Sequence, residues 1–214
     1  MALRMKTLNK HFPIVVGVCV GVMVANAETA YFRDSSRRLT GSMTTDGNGK
    51  TVYKDGQGRI QRTVTTDKNG KTTFRDYLGR TQGSVQIDAN GKTTWRDAVG
   101  RVQCSSSTDQ YGKTTWRDSS GRTQGSMQTD KYGKTTYRDS LGRLQGSSQT
   151  DKYGKTTYRD AAGRAQGSVT MDRNGKTTWR DSSGHIQGTS TTDSNGKTTY
   201  RDGSGRIIGT RTVP

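Results

Sequence analysis

Basic side chains recur in phase along this 214-residue chain, at Arg75, Arg80, Lys92, Arg96, Arg101, Lys113, Arg117, Arg122, Lys134, Arg138, Arg143, Lys155, Arg159, Arg164, Lys176 and Arg180. Cations repeated in this way hold phosphate, sulfate or carboxylate groups of a polymer through many weak contacts, so avidity replaces any single strong site. The expected partners are anionic polysaccharide, lipid head groups or extracellular nucleic acid. A second periodic set is aromatic: Tyr53, Phe74, Trp95, Trp116, Tyr137, Tyr158, Trp179 and Tyr200. Such rings stack on sugars or bases, or else form the packing ridge of a sheet. Residue parity puts them on the face opposite the charges, which favours the structural role.

Catalysis needs unique residues placed against one another, and nearly every polar residue here belongs to a repeat. After the first 27 residues one histidine remains, His185, standing where other copies carry Arg. It has no second His with which to bind a metal. Asp-x-Asn-Gly segments resemble the start of a calcium loop, but the further carboxylates and downstream Glu of such a loop are replaced by Lys-Thr-Thr. The chain is therefore read as non-enzymatic, with no cofactor and no metal.

The elements that position these residues follow from a 21-residue period. Its opening basic residue stands at Arg33, Lys54, Arg75, Arg96, Arg117, Arg138, Arg159, Arg180 and Arg201, giving eight full units and a partial ninth. A fixed period of this length signals one supersecondary unit placed against copies of itself. Each unit holds two turn signals, an early Asp-x-x-Gly-Arg (Asp139 to Arg143) and a late Asp-x-Asn/Tyr-Gly-Lys (Asp151 to Lys155). Asp accepts hydrogen bonds from backbone just ahead of it and Gly adopts positive φ, which suits a type I turn with a Gly bulge. The segments between are rich in Thr, Val, Tyr and Trp, as strands are. Each unit is thus a β-hairpin, in which Met171 should face Thr177 and Val169 should face Trp179. One face would carry Leu144 and its equivalents, Gly, Val or Met, Thr and the aromatic; the other would carry Arg, Gln, Ser and Lys.

The odd period conflicts with the two-residue alternation of a strand. Either the two loops differ in effective length by one residue or each copy holds a bulge. Gly83, Gly125, Gly146, Gly167, Gly188 and Gly209 are the natural places for one, unless Gly there makes room for an aromatic. The expected fold is all-β, with tandem hairpins in an elongated antiparallel meander. The alternative is a two-strand β-solenoid, which would stack Arg on Arg and Lys on Lys about 4.8 Å apart.

The run Thr198-Thr-Tyr200-Arg201-Asp202-Gly-Ser-Gly205-Arg206, with its equivalents in other copies, resembles the YD repeat of RHS-type surface and toxin proteins. That resemblance implies spiralling antiparallel sheets and life at the cell surface. Arg201 stands where the family pattern has an aromatic.

Residues 1–27 read as a secretory signal: Arg4, Lys6 and Lys10 precede the apolar run Pro13 to Val24, and Ala25-Asn-Ala27 is a cleavage site. The mature array is then 28–214, without a transmembrane span and secreted, cell-surface or periplasmic. The whole chain carries +17; removing three of its 35 Lys and Arg leaves 32 against 18 Asp and Glu, a net +14. Only 27% of residues are hydrophobic, which excludes a thick core. Cys104 is left as a single thiol, able to pair only between chains. The leading expectation is a secreted scaffold of adhesion or matrix type that binds anionic polymers through a basic sheet face. The other is a self-assembling extracellular fibre subunit, joined through open sheet edges.

Overall fold

The computed structural model describes residues 28–213, so the signal expected at 1–27 lies outside the described residues. Eighteen antiparallel strands follow one another, from β1 (Glu28–Asp34), β2 (Leu39–Thr45) and β3 (Lys50–Asp55) to β17 (Thr198–Asp202) and β18 (Ile207–Thr212). All strands are 5–7 residues long. Each pairs with its neighbours in sequence, and β1 also pairs with β18 through Tyr31–Thr212, Phe32–Arg211, Arg33–Thr210 and Asp34–Gly209. The sheet therefore closes into an up-and-down barrel. This corrects the open meander and the solenoid alike, and it pairs both of the edges on which fibre growth would depend.

Every turn is built the same way. The Asp N–H donates to the carbonyl of the Arg, His or Lys four residues on, and the residue three past the Asp donates back to the Asp carbonyl, all at 2.9–3.1 Å. One oxygen of each Asp carboxylate also accepts the backbone N–H groups two and four residues ahead, as in Asp139 (2.9 and 2.9 Å) and Asp151 (2.8 and 3.0 Å). The turn glycines hold φ near +74 to +87°, which costs Gly little. In the first early turn Arg37 takes this place at φ +62°.

Because both loops have the same effective length, something else must absorb the odd residue of the period. A bulge does so. On the early-turn side the register runs Tyr137–Gly146 and then Arg138–Leu144, leaving Gln145 without a partner, and the shift recurs in the other copies. The bulge adjoins the mid-strand Gly as expected, and the structure also says why Gly stands there. A Cβ on Gly83, Gly125 or Gly167 would come within 2.6–2.8 Å of the carbonyl oxygen of Arg96, Arg138 or Arg180. At Gly188 the ring of Trp179 is no nearer than 4.0 Å whereas the Arg201 carbonyl oxygen is at 2.9 Å, so backbone crowding more than the aromatic favours Gly, although Arg62 and Cys104 hold the same place in two copies.

Following direct partners from Tyr53 to Arg62 to Asp76 advances the register two residues per hairpin. Tyr200 to Gly209 to Asp34 makes the same advance across the seam. Over nine hairpins the stagger is eighteen, equal to the number of strands. For a round cross-section this gives a strand tilt of about 35° and a radius of about 17 Å, within the normal range for closed barrels. Each strand contacts only its two neighbours, and among the described residues Ala30 is the one buried hydrophobic side chain while no large side chain is fully buried. The order of the sheet thus comes from turns, ladders and cross-strand pairs more than from a core.

Candidate functional site

The ladder sorts side chains onto two faces, one lining the enclosed space and the other the outer surface. Direct partners Met127–Tyr137, Thr129–Thr135 and Gly125–Asp139 define an aromatic face. Partners Ser126–Arg138 and Gln128–Thr136, with Lys134–Gln149 and Arg138–Leu144, define a basic face. Met171–Thr177 and Val169–Trp179 pair as the sequence predicts. Leu144 does not lie with the aromatics: the bulge moves it and its equivalents opposite the opening Arg. Phe32, 21 residues before Tyr53 and paired with Gly41, belongs to the aromatic column and was missing from it.

The two ends of the barrel differ. At the early rim, Asp139 is surrounded: Arg143 Nε donates to its second carboxylate oxygen at 2.8 Å and the bulged Gln145 Nε2 at 3.1 Å. The equivalent Arg–Asp contact is 2.8–3.1 Å at Arg59, Arg80, Arg164 and Arg206, and 3.7 Å at Arg101. Asp139 belongs to the aromatic face by register, so Arg143 and the other arginines paired in this way are drawn away from Arg138 and its equivalents. The sequence placed them together. At Asp118, by contrast, Gln124 takes the second oxygen at 2.9 Å and Arg122 forms no ion pair among the described residues. Burial raises the Asp139 carboxyl, but the bonds from Arg143 and from backbone outweigh it, holding the group below its ordinary value. At Asp55 the Arg59 side chain is the largest influence and the direction is the same. His185 sits exposed with Nδ1 3.6 Å from Asp181.

The opening arginines, Arg75, Arg96, Arg117, Arg138, Arg159 and Arg180, each donate one N–H to the turn Gly carbonyl four residues on, at 2.9–3.3 Å. The remainder of each guanidinium is exposed on the basic face. At the late rim the aspartates accept only backbone N–H groups among the described residues, and no Lys there forms an ion pair. Lys92, Lys113, Lys134, Lys155 and Lys176 are therefore uncommitted.

Within one strand, Lys134, Thr136 and Arg138 alternate onto the basic face, so the two cations stand four residues, about 13 Å, apart. No Asp or Glu occupies a strand position of that face; the aspartates and Glu28 fall on the other. Shallow grooves run along it. One of about 510 Å³ is bounded by Arg33, Lys197, Thr199, Ile207 and Thr210 beside the seam, with Asp34 at its rim end, and one of about 270 Å³ by Lys113, Thr115, Arg117 and Thr123, with Asp139 at its rim end.

The aromatic face holds mainly structural contacts. Tyr137 Oη lies 3.2 Å from Ser148 Oγ, and Arg62 stacks on Tyr53 at 4.2 Å. Tyr158 is pushed up by burial and then by neighbouring Tyr137. Cys104, in a mid-strand Gly position opposite Trp95, is a half-buried free thiol whose pKa burial raises. No group of three or more metal-ligating side chains occurs among the described residues.

No protein-family profile matches the chain, and no curated protein matches it. Among solved structures, BamB from Moraxella catarrhalis is 11% identical with a TM-score of 0.40, covering 81% of this chain and 80% of its own. The C-terminal WD40 domain of Sif2 is 8% identical at 0.36, covering 82% and 78%. The TCP10 domain of Danio rerio CPAP, solved with a STIL peptide, is 12% identical at 0.21, covering 78% and 92%. Likeness at this level carries no argument about the fold or the function.

Proposed function

We propose that the protein is a secreted or surface-exposed, non-enzymatic scaffold that binds anionic polymers along its basic face. The observation that supports this reading is the sorting of charge by register: two cations per hairpin and no anion at the strand positions of one continuous face. Lys50, Lys71 and Lys197 extend the set of uncommitted lysines beyond those read from the sequence. Neighbouring copies repeat the pair around the ring, so a flexible polyanion meets the same weak contact many times.

A membrane barrel fits poorly. Strands of 5–7 residues fall short of the roughly 9–11 needed to cross a bilayer, and both faces carry polar side chains. No helix of the described residues is long and apolar enough to cross one either.

The test is a salt titration of the protein against a sulfated polysaccharide. Affinity should fall at least tenfold between about 50 and 200 mM salt, as counterion release requires. Binding that does not change with salt, or no binding, overturns the reading.

A further inference from the structure

Three consecutive late turns break the pattern of the other five. Asn occupies the residue before the turn Gly in Asp67–Lys71 and Asp172–Lys176, whereas Tyr111, Tyr132 and Tyr153 occupy it in neighbouring turns along one arc of the rim. The turns themselves do not require the change: the Asp and Gly hydrogen bonds are 2.9–3.0 Å with Tyr and 2.9–3.1 Å with Asn. The tyrosines gain almost no burial, being 72, 72 and 75% exposed. Large aromatic side chains set in a row along one arc, each in water without a structural return, mark an interaction surface. Lys131 and Lys152, in the same turns, place their ammonium groups 5.0 Å from the centres of the Tyr132 and Tyr153 rings.

We propose that this arc is a binding site for an anionic polysaccharide, with sugar rings stacked on Tyr111, Tyr132 and Tyr153 and carboxylate or sulfate groups held by Lys131 and Lys152. It rests on the polyanion reading above and gives it a location and a ligand class. Successive turns are two tilted strands apart, about 12 Å, so no ring can sandwich a planar base against the next. With an ammonium near two of the rings, a single free face is offered, which suits the C–H face of a pyranose. The charge of a uronic or sulfated sugar is carried on the stacked ring itself, next to that ammonium. In a nucleotide the ribose separates phosphate from base, which places the charge farther off. The lysines that close these turns, Lys113, Lys134 and Lys155, supply the surrounding field.

The test compares the wild-type chain with the triple variant Tyr111→Asn, Tyr132→Asn, Tyr153→Asn, using a polyuronate oligosaccharide and a homopolymeric RNA at fixed salt. Asn is native in the other late turns, so the urea midpoint should be unchanged. Polyuronate affinity is expected to fall at least tenfold with the salt slope preserved, since no charge is removed. A second variant, Lys131→Gln with Lys152→Gln, should weaken binding and lower that slope. Equal affinity of the wild type and triple variant overturns this site while leaving the broader reading intact. Tighter wild-type binding to RNA, lost in the same variant, overturns it in favour of nucleic acid. Absence of any polyanion binding by the wild type overturns both.

Discussion

The two rims are made of nearly the same turn and behave as different chemical objects. At both, an Asp closes a three-residue loop by accepting two backbone N–H groups. At most early turns, as at Asp139, the remaining carboxylate oxygen is taken by an Arg and by a bulged Gln, at Asp118 by Gln124 alone, and the opening Arg ties the loop carbonyl down from the other face. At the late rim nothing but backbone engages the Asp, and the Lys is left in solvent. The comparison teaches that charge is structural at one end of this barrel and available at the other. The bulge makes the difference, because it brings Gln145 and its equivalents within reach of the Asp.

The largest effect is expected where the bulge crowds the backbone. Gly167 has φ +156° and would place a Cβ 2.6 Å from the Arg180 carbonyl oxygen, so Gly167→Ala should destabilise the fold by about 2 kcal/mol. Gly175→Ala, in a late turn with φ +74° and open space around it, should cost about 1 kcal/mol. Urea unfolding measures both, and equal losses would remove the special status of the early side.

A smaller effect separates the aspartates. Asp139→Asn keeps a turn acceptor but weakens the tie to Arg143, so it should lower the urea midpoint about twice as far as Asp151→Asn. The same contacts set a pH dependence. Asp55, Asp76, Asp118, Asp139, Asp160, Asp181 and Asp202 all sit below their ordinary value when folded. A depressed folded pKa means that the stabilisation is complete above the unfolded value near pH 4 and is lost as pH falls through the folded value. Thermal melts from pH 6 down to pH 2 should show that loss, and replacing several early-rim aspartates by Asn should flatten it. The smallest change is a gain: Arg37→Gly relieves a left-handed non-Gly residue in the one early turn that lacks Gly, and should stabilise by about 1 kcal/mol.

Much of the local structure was legible in the residues. Asp and Gly at fixed offsets gave both turns, Thr, Val and Trp gave the cross-strand pairs, and the odd period left a choice between unequal loops and a bulge, with the mid-strand Gly as the bulge's natural place. Closure was not legible, because no residue encodes it. It comes from a two-residue stagger repeated nine times until β18 meets β1. The bulge also hid two placements, since a parity count that runs through Gln145 puts Leu144 and Arg143 on the wrong faces. Tyr111, Tyr132 and Tyr153 passed as turn variants of Asn because their exposure along one arc of the rim is a property of the closed barrel.

The seam has a consequence for how the chain is made. Hairpin pairing links residues close in sequence, whereas the Arg211–Glu28 contact at 2.8 Å joins groups 183 residues apart. Synthesis delivers β1 first and its second partner last. Until β18 emerges, β1 offers a row of unpaired backbone groups to any other extended chain, so exchange of the first strand between molecules competes with closure when growing chains are crowded.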